Sequence, residues 1–127
     1  MKLTKNFSKH EYDCKCGCEM PEDVFKNIKK LAQQHQIIRD YIKKPIKITS
    51  GYRCESHNRD IGGVLGSKHT KGLAGDLQVN ETTPIEMYFI IKYLIKRGDI
   101  IEGGLGVYNT FVHYDIRGKK ARWNNIK

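Results

Sequence analysis

The stretch from Thr83 to Gly118 does most to limit what this chain can fold into, because its hydrophobic period changes halfway along. "TPIEMYFIIKYLIKRGD" reads as a helix. Thr83 suits the N-cap, Pro84 suits the first helical position, Glu86 completes a capping-box spacing, and Gly98 falls where a left-handed C-terminal residue is expected. "EGGLGVYNTFVHYDIRG" then reads as two short strands joined at Tyr108–Thr110, a hairpin. A helix that feeds a hairpin calls for a sheet with antiparallel neighbours.

The rest of the chain agrees. "MPEDVFKNIKKLAQQHQIIRDYIKK" repeats Val24, Phe25, Ile28, Leu31 and Ala32, then Ile38, Tyr41 and Ile42, at helical spacing. Pro21, Glu22 and Asp23 suit its first turn, and Pro45 ends it. "PIKITSGYR" alternates as a half-buried strand, and "AGDLQV" is strand-like. Arg53 to Gly66 is polar and glycine-punctuated, a loop with room for one helical turn. The order helix, strand, loop, strand, helix, hairpin predicts an α+β fold, an antiparallel sheet with two main helices packed on it. At 127 residues the chain is read as one domain, with residues 1–20 as an N-terminal arm.

The formal charge of +9 favours anionic partners: nucleic acid, anionic lipid or an acidic cell-wall polymer. The lysines are spread along the chain rather than gathered in a basic block, which weighs against nucleic acid. No apolar run is long enough to span a bilayer. The first residues lack the apolar core of a secretory signal, so cytoplasmic synthesis without a signal peptide is expected, and any action outside the cell that makes it needs separate release.

Three of the four cysteines crowd into "CKCGC" (Cys14, Cys16, Cys18), and the fourth is Cys54. The spacing is too tight for two easy internal disulfides. Reduced, partly buried thiols are the default reading. The alternative is a four-thiolate structural metal site, which needs the N-terminal loop folded over Cys54 and a C-x-C spacing tighter than usual.

"GSKHTKGLAGDLQV" places His69 in a loop that enters a strand bearing Asp76. An aspartate on the inward side of a strand is costly unless paired or metal-bound. On "FVHYDIR", strand alternation puts Phe111, His113 and Asp115 on one face. Singly, these residues read as a solvated loop histidine, a turn cap and an exposed cross-strand polar pair. Together, His69, Asp76 and His113 form a two-histidine, one-carboxylate set of the kind that binds catalytic zinc and leaves a fourth position open.

"SKHTKGLAGDL" matches the S-x-H-x-x-G-x-A-x-D motif of the zinc D-Ala-D-Ala carboxypeptidases, the DD-peptidase/hedgehog group. "ITSGYR" resembles that family's upstream arginine segment, "SHNRDIGG" its following loop, and "GGLGVYNTFVHYDIRGKKARW" the C-terminal segment of its short, often phage-encoded members. The likeness runs from about Leu3 to Trp123. It implies zinc on His69, Asp76 and His113, and Arg53 in the cleft holding a substrate carboxylate or developing oxyanion. It also implies a peptidase of peptidoglycan stem peptides, of carboxypeptidase or L-Ala-D-Glu endopeptidase type, in a phage lysin, a virion or a host cell. Ser67 supports the site by hydrogen bonding, and His57 and Asn58 line the cleft or hold its loop.

One position departs from the pattern. Many relatives carry the general base three residues before the last zinc histidine, where this chain has Thr110. Asp115 is the expected substitute and Glu102 the next. The same departure keeps open a zinc-bearing module that binds wall peptide or serves in a virion without cutting.

Overall fold

The computed structural model describes residues 1–127. Its elements are α1 (Glu22–Ile42), β1 (Lys47–Ser50), α2 (Glu55–Asp60), β2 (Ala74–Gln78), α3 (Pro84–Arg97), β3 (Gly104–Val107), β4 (Val112–Asp115) and β5 (Ala121–Asn124). Single 3-10 turns cover Lys9–Tyr12 and Lys68–Lys71. No helix is long and apolar enough to cross a membrane.

Local chemistry sets both main helices. Thr83 and Glu86 form the expected reciprocal capping box at the start of α3, and Gly98 ends it at φ 81°. α1 starts after Pro21 and stops at Lys43, which turns left-handed at φ 58° just before Pro45. Val24, Ile28, Leu31 and Ile38 of α1 and Met87, Ile91 and Leu94 of α3 are buried in one core.

The five strands run in the order β1-β2-β4-β3-β5. Every pairing is antiparallel except β3 with β5, which is parallel. The α+β architecture and the two packed helices are as the sequence predicts. Two elements go beyond it. β5 lies in "KKARWNN", which shows no clean alternation, and it gains its order from pairing with β3. The loop after Arg53 forms the six-residue α2, capped by Cys54.

The central pair, β2 and β4, positions the chemistry. Asp76 stands opposite His113 and Leu77 opposite Val112. Because side chains alternate across a strand, Leu77, Val112, Tyr114 and Leu105 turn to the core. Asp76 and His113 turn to the other face. There β3 supplies only glycine opposite His113: a Cβ on Gly106 would lie 2.1 Å from Nε1 of Trp123. That glycine lets the indole of β5 lie down over the sheet, 4.9 Å from the His113 ring.

The N-terminal arm is part of this fold. The Tyr52 amide donates to the Tyr12 carbonyl at 2.8 Å, and Phe7 and Tyr12 are fully buried. Tyr12 stacks on His35 at 5.7 Å, with its hydroxyl 2.8 Å from His35 Nδ1. His35 Nε2 is buried without a partner, and burial lowers the pKa of the ring to about 3.

Candidate metal centre

His69, Asp76 and His113 meet on the cleft face of the sheet, with one ligand atom from each lying within 4.8 Å of the others. His69 rides on the 3-10 turn Lys68–Lys71, where the Ser67 hydroxyl accepts from its amide at 3.2 Å. Its Nδ1 lies 2.7 Å from the Gly51 carbonyl, which can only accept. The proton of this ring is therefore on Nδ1, and Nε2 presents a lone pair toward Asp76 Oδ1 at 3.2 Å.

His113 is oriented the other way round. Its Nε2 lies 2.7 Å from Asp115 Oδ2, and its Nδ1 lies 3.3 Å from Asp76 Oδ1. Asp115 is fully buried and saturated. Its Oδ1 accepts from the Gly104 amide and from Nε and the amide of Arg117, and its Oδ2 accepts from Nη2 of the same arginine. Burial would raise the Asp115 pKa, but His113, Arg117 and the Gly104 amide hold it well below the usual carboxylate range. A carboxylate so held accepts from Nε2 and leaves Nδ1 as the free donor atom of His113.

Three electron-pair donors thus converge at buried positions on the cleft floor, the two rings each oriented by an acceptor behind it. They repel one another unless a cation lies between them. Two neutral imidazoles backed by a carbonyl and a carboxylate, plus one ionised aspartate, are a fitting donor set for a divalent metal. In the metal-free chain a proton answers part of the same demand. Burial disfavours charge on His113, but Asp115 and Asp76 outweigh it and raise its pKa. Burial likewise works against ionised Asp76, yet the two histidines hold its pKa at about 2.

The surrounding cleft includes Arg53, Ser67, Lys68, Tyr108, Arg117 and Trp123. Its cationic side chains outnumber its carboxylates, of which Asp76 is the only one. Arg53 is held by its amide, which donates to the His69 carbonyl at 3.1 Å, and its Nε is buried without a partner. Burial lowers its pKa, and the nearby Asp76 charge offsets part of that. The hydroxyl of Tyr108 accepts from Trp123 Nε1 at 2.9 Å and keeps its own proton for another acceptor.

The other expected site residues sit as follows. Ser67 lines the cleft. His57 is on α2, outside the cleft lining, where its amide points to Cys54 Sγ. Asn58 holds the loop, donating to the Val64 carbonyl at 3.0 Å. Glu102 is also outside the cleft, tied to Arg122 at 2.9 Å and to the Gly103 amide. Asp115 as general base needs correction: it lies behind His113, away from Asp76, with both oxygens taken by donors. Glu102 as the next choice fails because its carboxylate is engaged elsewhere.

Sequence reasoning missed the Gly51 carbonyl, Arg117, Tyr108 and Trp123. The carbonyl leaves no trace in side-chain identity. The single tryptophan and the Asp115–Arg117 spacing were visible signals.

No curated protein matches the chain. The family profile described as Peptidase M15 matches residues 3–115, from the arm through β4. That span includes all three converging donors and Asp115 behind them. The match covers nearly the whole chain, and the donor set is the one a metal-dependent peptidase needs. The chain belongs to the peptidase M15 family, the zinc D-Ala-D-Ala carboxypeptidase-type group that its motifs resemble.

Proposed function

We propose that this chain is a zinc-dependent peptidase acting on the stem peptides of peptidoglycan, as a carboxypeptidase or endopeptidase in wall lysis or remodelling. One observation carries the reading: an aspartate oxygen and two histidine nitrogens, each ring oriented by an acceptor behind it, converge in a cationic cleft. His69 Nε2, Asp76 Oδ1 and His113 Nδ1 would hold the ion. When bound, zinc supplies Lewis acidity toward the scissile carbonyl and the attacking water.

The remaining work falls to the chain's own groups. Arg53 receives a carboxylate of the substrate through its unpartnered guanidinium edge, a planar and permanently charged fork. Tyr108 donates its phenolic proton to a substrate oxygen. Trp123 and Phe111 wall the cleft and limit water near the reacting carbonyl. Asp115 keeps the proton of His113 on Nε2. The positive surface draws the protein to anionic wall polymer. Cytoplasmic synthesis followed by release to the wall, or carriage in a virion, fits such a role.

A second reading has its own observation. Beyond Asp76 no carboxylate lines the cleft, and Thr110 sits in the β3–β4 turn outside it. A module that binds wall peptide through the metal and Arg53 without cutting needs no such carboxylate.

Purified peptidoglycan and synthetic stem peptides, digested and read by mass spectrometry, separate the two. Zinc-dependent release of D-Ala or of free stem peptide, abolished by chelation and by His69→Ala, is the expected result. Turnover by the chelated protein or by His69→Ala would refute the metallopeptidase. Zinc-dependent sedimentation with the polymer and no cleavage would establish the binding module instead.

A further inference from the structure

A second cluster of metal-ligating side chains lies outside this cleft. The arm leaves its 3-10 turn at Tyr12 and runs into Cys14-Lys15-Cys16-Gly17-Cys18. Gly17 takes φ 84°, and its amide donates to the Cys14 carbonyl at 3.0 Å. This closes a tight loop that lets thiols two residues apart share one space. The fold then brings in Cys54, forty residues from Cys14, as the N-cap of α2.

All four sulfur atoms lie within 4.8 Å of one another. Cys14 Sγ is 3.3 Å from Cys16 Sγ, which is 3.6 Å from Cys54 Sγ. A disulfide needs about 2 Å, and all four cysteines are free. A tetrahedral zinc–thiolate centre, with bonds of about 2.3 Å, has sulfur–sulfur edges of about 3.8 Å. Both of these separations fall inside that edge.

Backbone donors face the cluster as they face metal thiolates. The Cys54 amide points to Cys14 Sγ at 3.4 Å, and the His57 amide to Cys54 Sγ at 3.4 Å. Such N–H groups stabilise negative sulfur and fix ligand orientation.

We propose that Cys14, Cys16, Cys18 and Cys54 form a second, closed metal centre that takes zinc as a four-thiolate complex and clamps the N-terminal arm to the Arg53 segment. On binding, four thiol protons pass to solvent as four sulfur–metal bonds form, with no change of oxidation state. Soft thiolates select a thiophilic ion, whereas the nitrogen and oxygen donors of the cleft are less selective. The clamp acts on residues that serve the cleft: Cys54 follows Arg53, and Gly51, three residues earlier, orients His69. The centre is independent of what the chain cuts or binds.

The test is metal stoichiometry under reducing conditions. Purified wild-type protein should carry two zinc ions per chain, and His69→Ala, which leaves the thiols untouched, should carry one. Titrating the His69→Ala thiols with an organomercurial should release that ion, and cobalt loading of the same variant should give a sulfur-to-cobalt charge-transfer band. Cys54→Ser should weaken the band. Wild-type protein with added zinc should show four thiols shielded from a chromogenic disulfide reagent, so a misfolded Cys54→Ser cannot decide the matter. A metal-free His69→Ala, cobalt loading without the band, iron in place of zinc, or a disulfide among these cysteines in the reduced preparation would overturn the proposal.

Discussion

Asp115→Asn separates two roles for one carboxylate. The substitution keeps size and shape. The amide oxygen can still accept from the Gly104 amide and from Arg117, but an NH2 group replaces the oxygen that faces His113 Nε2 and Arg117 Nη2. Donor then meets donor. The cheapest relief is for His113 to move its proton to Nδ1, the atom that faces Asp76. That is the wrong tautomer for binding a metal. Loss of such a partner behind a ligand histidine costs about 10–100-fold in metal affinity.

Two charge-assisted hydrogen bonds are lost as well, one of them to Arg117, which is partly exposed and recovers some solvation. Stability should fall by about 2–4 kcal/mol. For a chain of this size that lowers Tm by roughly 10 °C. The assay is competition with a chromophoric chelator, read on the metal equivalent that His69→Ala abolishes, beside thermal unfolding of the metal-free protein. If Asp115 were instead the general base, the variant would bind metal as wild type does and lose only turnover. Unchanged affinity with lost turnover would refute the orienting role.

Arg53→Lys should raise KM about 10–100-fold for peptides ending in a free carboxylate, with a much smaller effect on amidated peptides; equal effects on both would remove Arg53 from carboxylate binding. His35 sets a pH dependence. Its pKa is about 3 in the fold and about 6.5 when unfolded, so the unfolded chain takes up a proton that the native chain refuses. Stability should therefore fall by about 1.4 kcal/mol per pH unit below pH ~6.5, before the carboxylates titrate. His113 acts with the opposite sign: its raised pKa gives stability that is fully present well below the unfolded value and is lost as pH rises above it. Urea unfolding of metal-free His35→Leu should show the slope removed, and an unchanged slope would sink the assignment. Gly106→Ala drives a methyl into the Trp123 indole. It should cost about 1–3 kcal/mol and expose the tryptophan, read as a red shift of its fluorescence; an unshifted spectrum at wild-type stability would show that the close approach is not needed.

Much of this was legible in the sequence because it is local. Thr83, Glu86 and Gly98 announce the ends of α3 within a few residues of themselves. His69, Asp76 and His113 declare their chemistry by type. What escaped depends on long-range placement. Asp115 looked like a base because it shares a face with His113. Only the approach of β3, with the Gly104 amide, and the fold-back of Arg117 turn it into a saturated support. The Gly51 carbonyl is backbone and carries no signature. β5 draws its order from β3 rather than from its own pattern. The cysteines looked too close in sequence to share a site, and docking of the arm on β1 brings Cys54 to them.

The antiparallel register that sets Asp76 against His113 also divides the chain by how much change in length it can absorb. The segment between Gln78 and Gly104 contributes α3 to the core but no side chain to the cleft. Its turns can gain or lose residues while the helix still covers the sheet. β4 has no such freedom. One residue inserted between Tyr108 and Phe111 can be absorbed in the turn, but one inserted between Val112 and His113 rotates the imidazole into the core or presents valine or tyrosine to the cleft. In descendants of this chain, insertions and deletions should gather around the helix and stop at the four residues of β4.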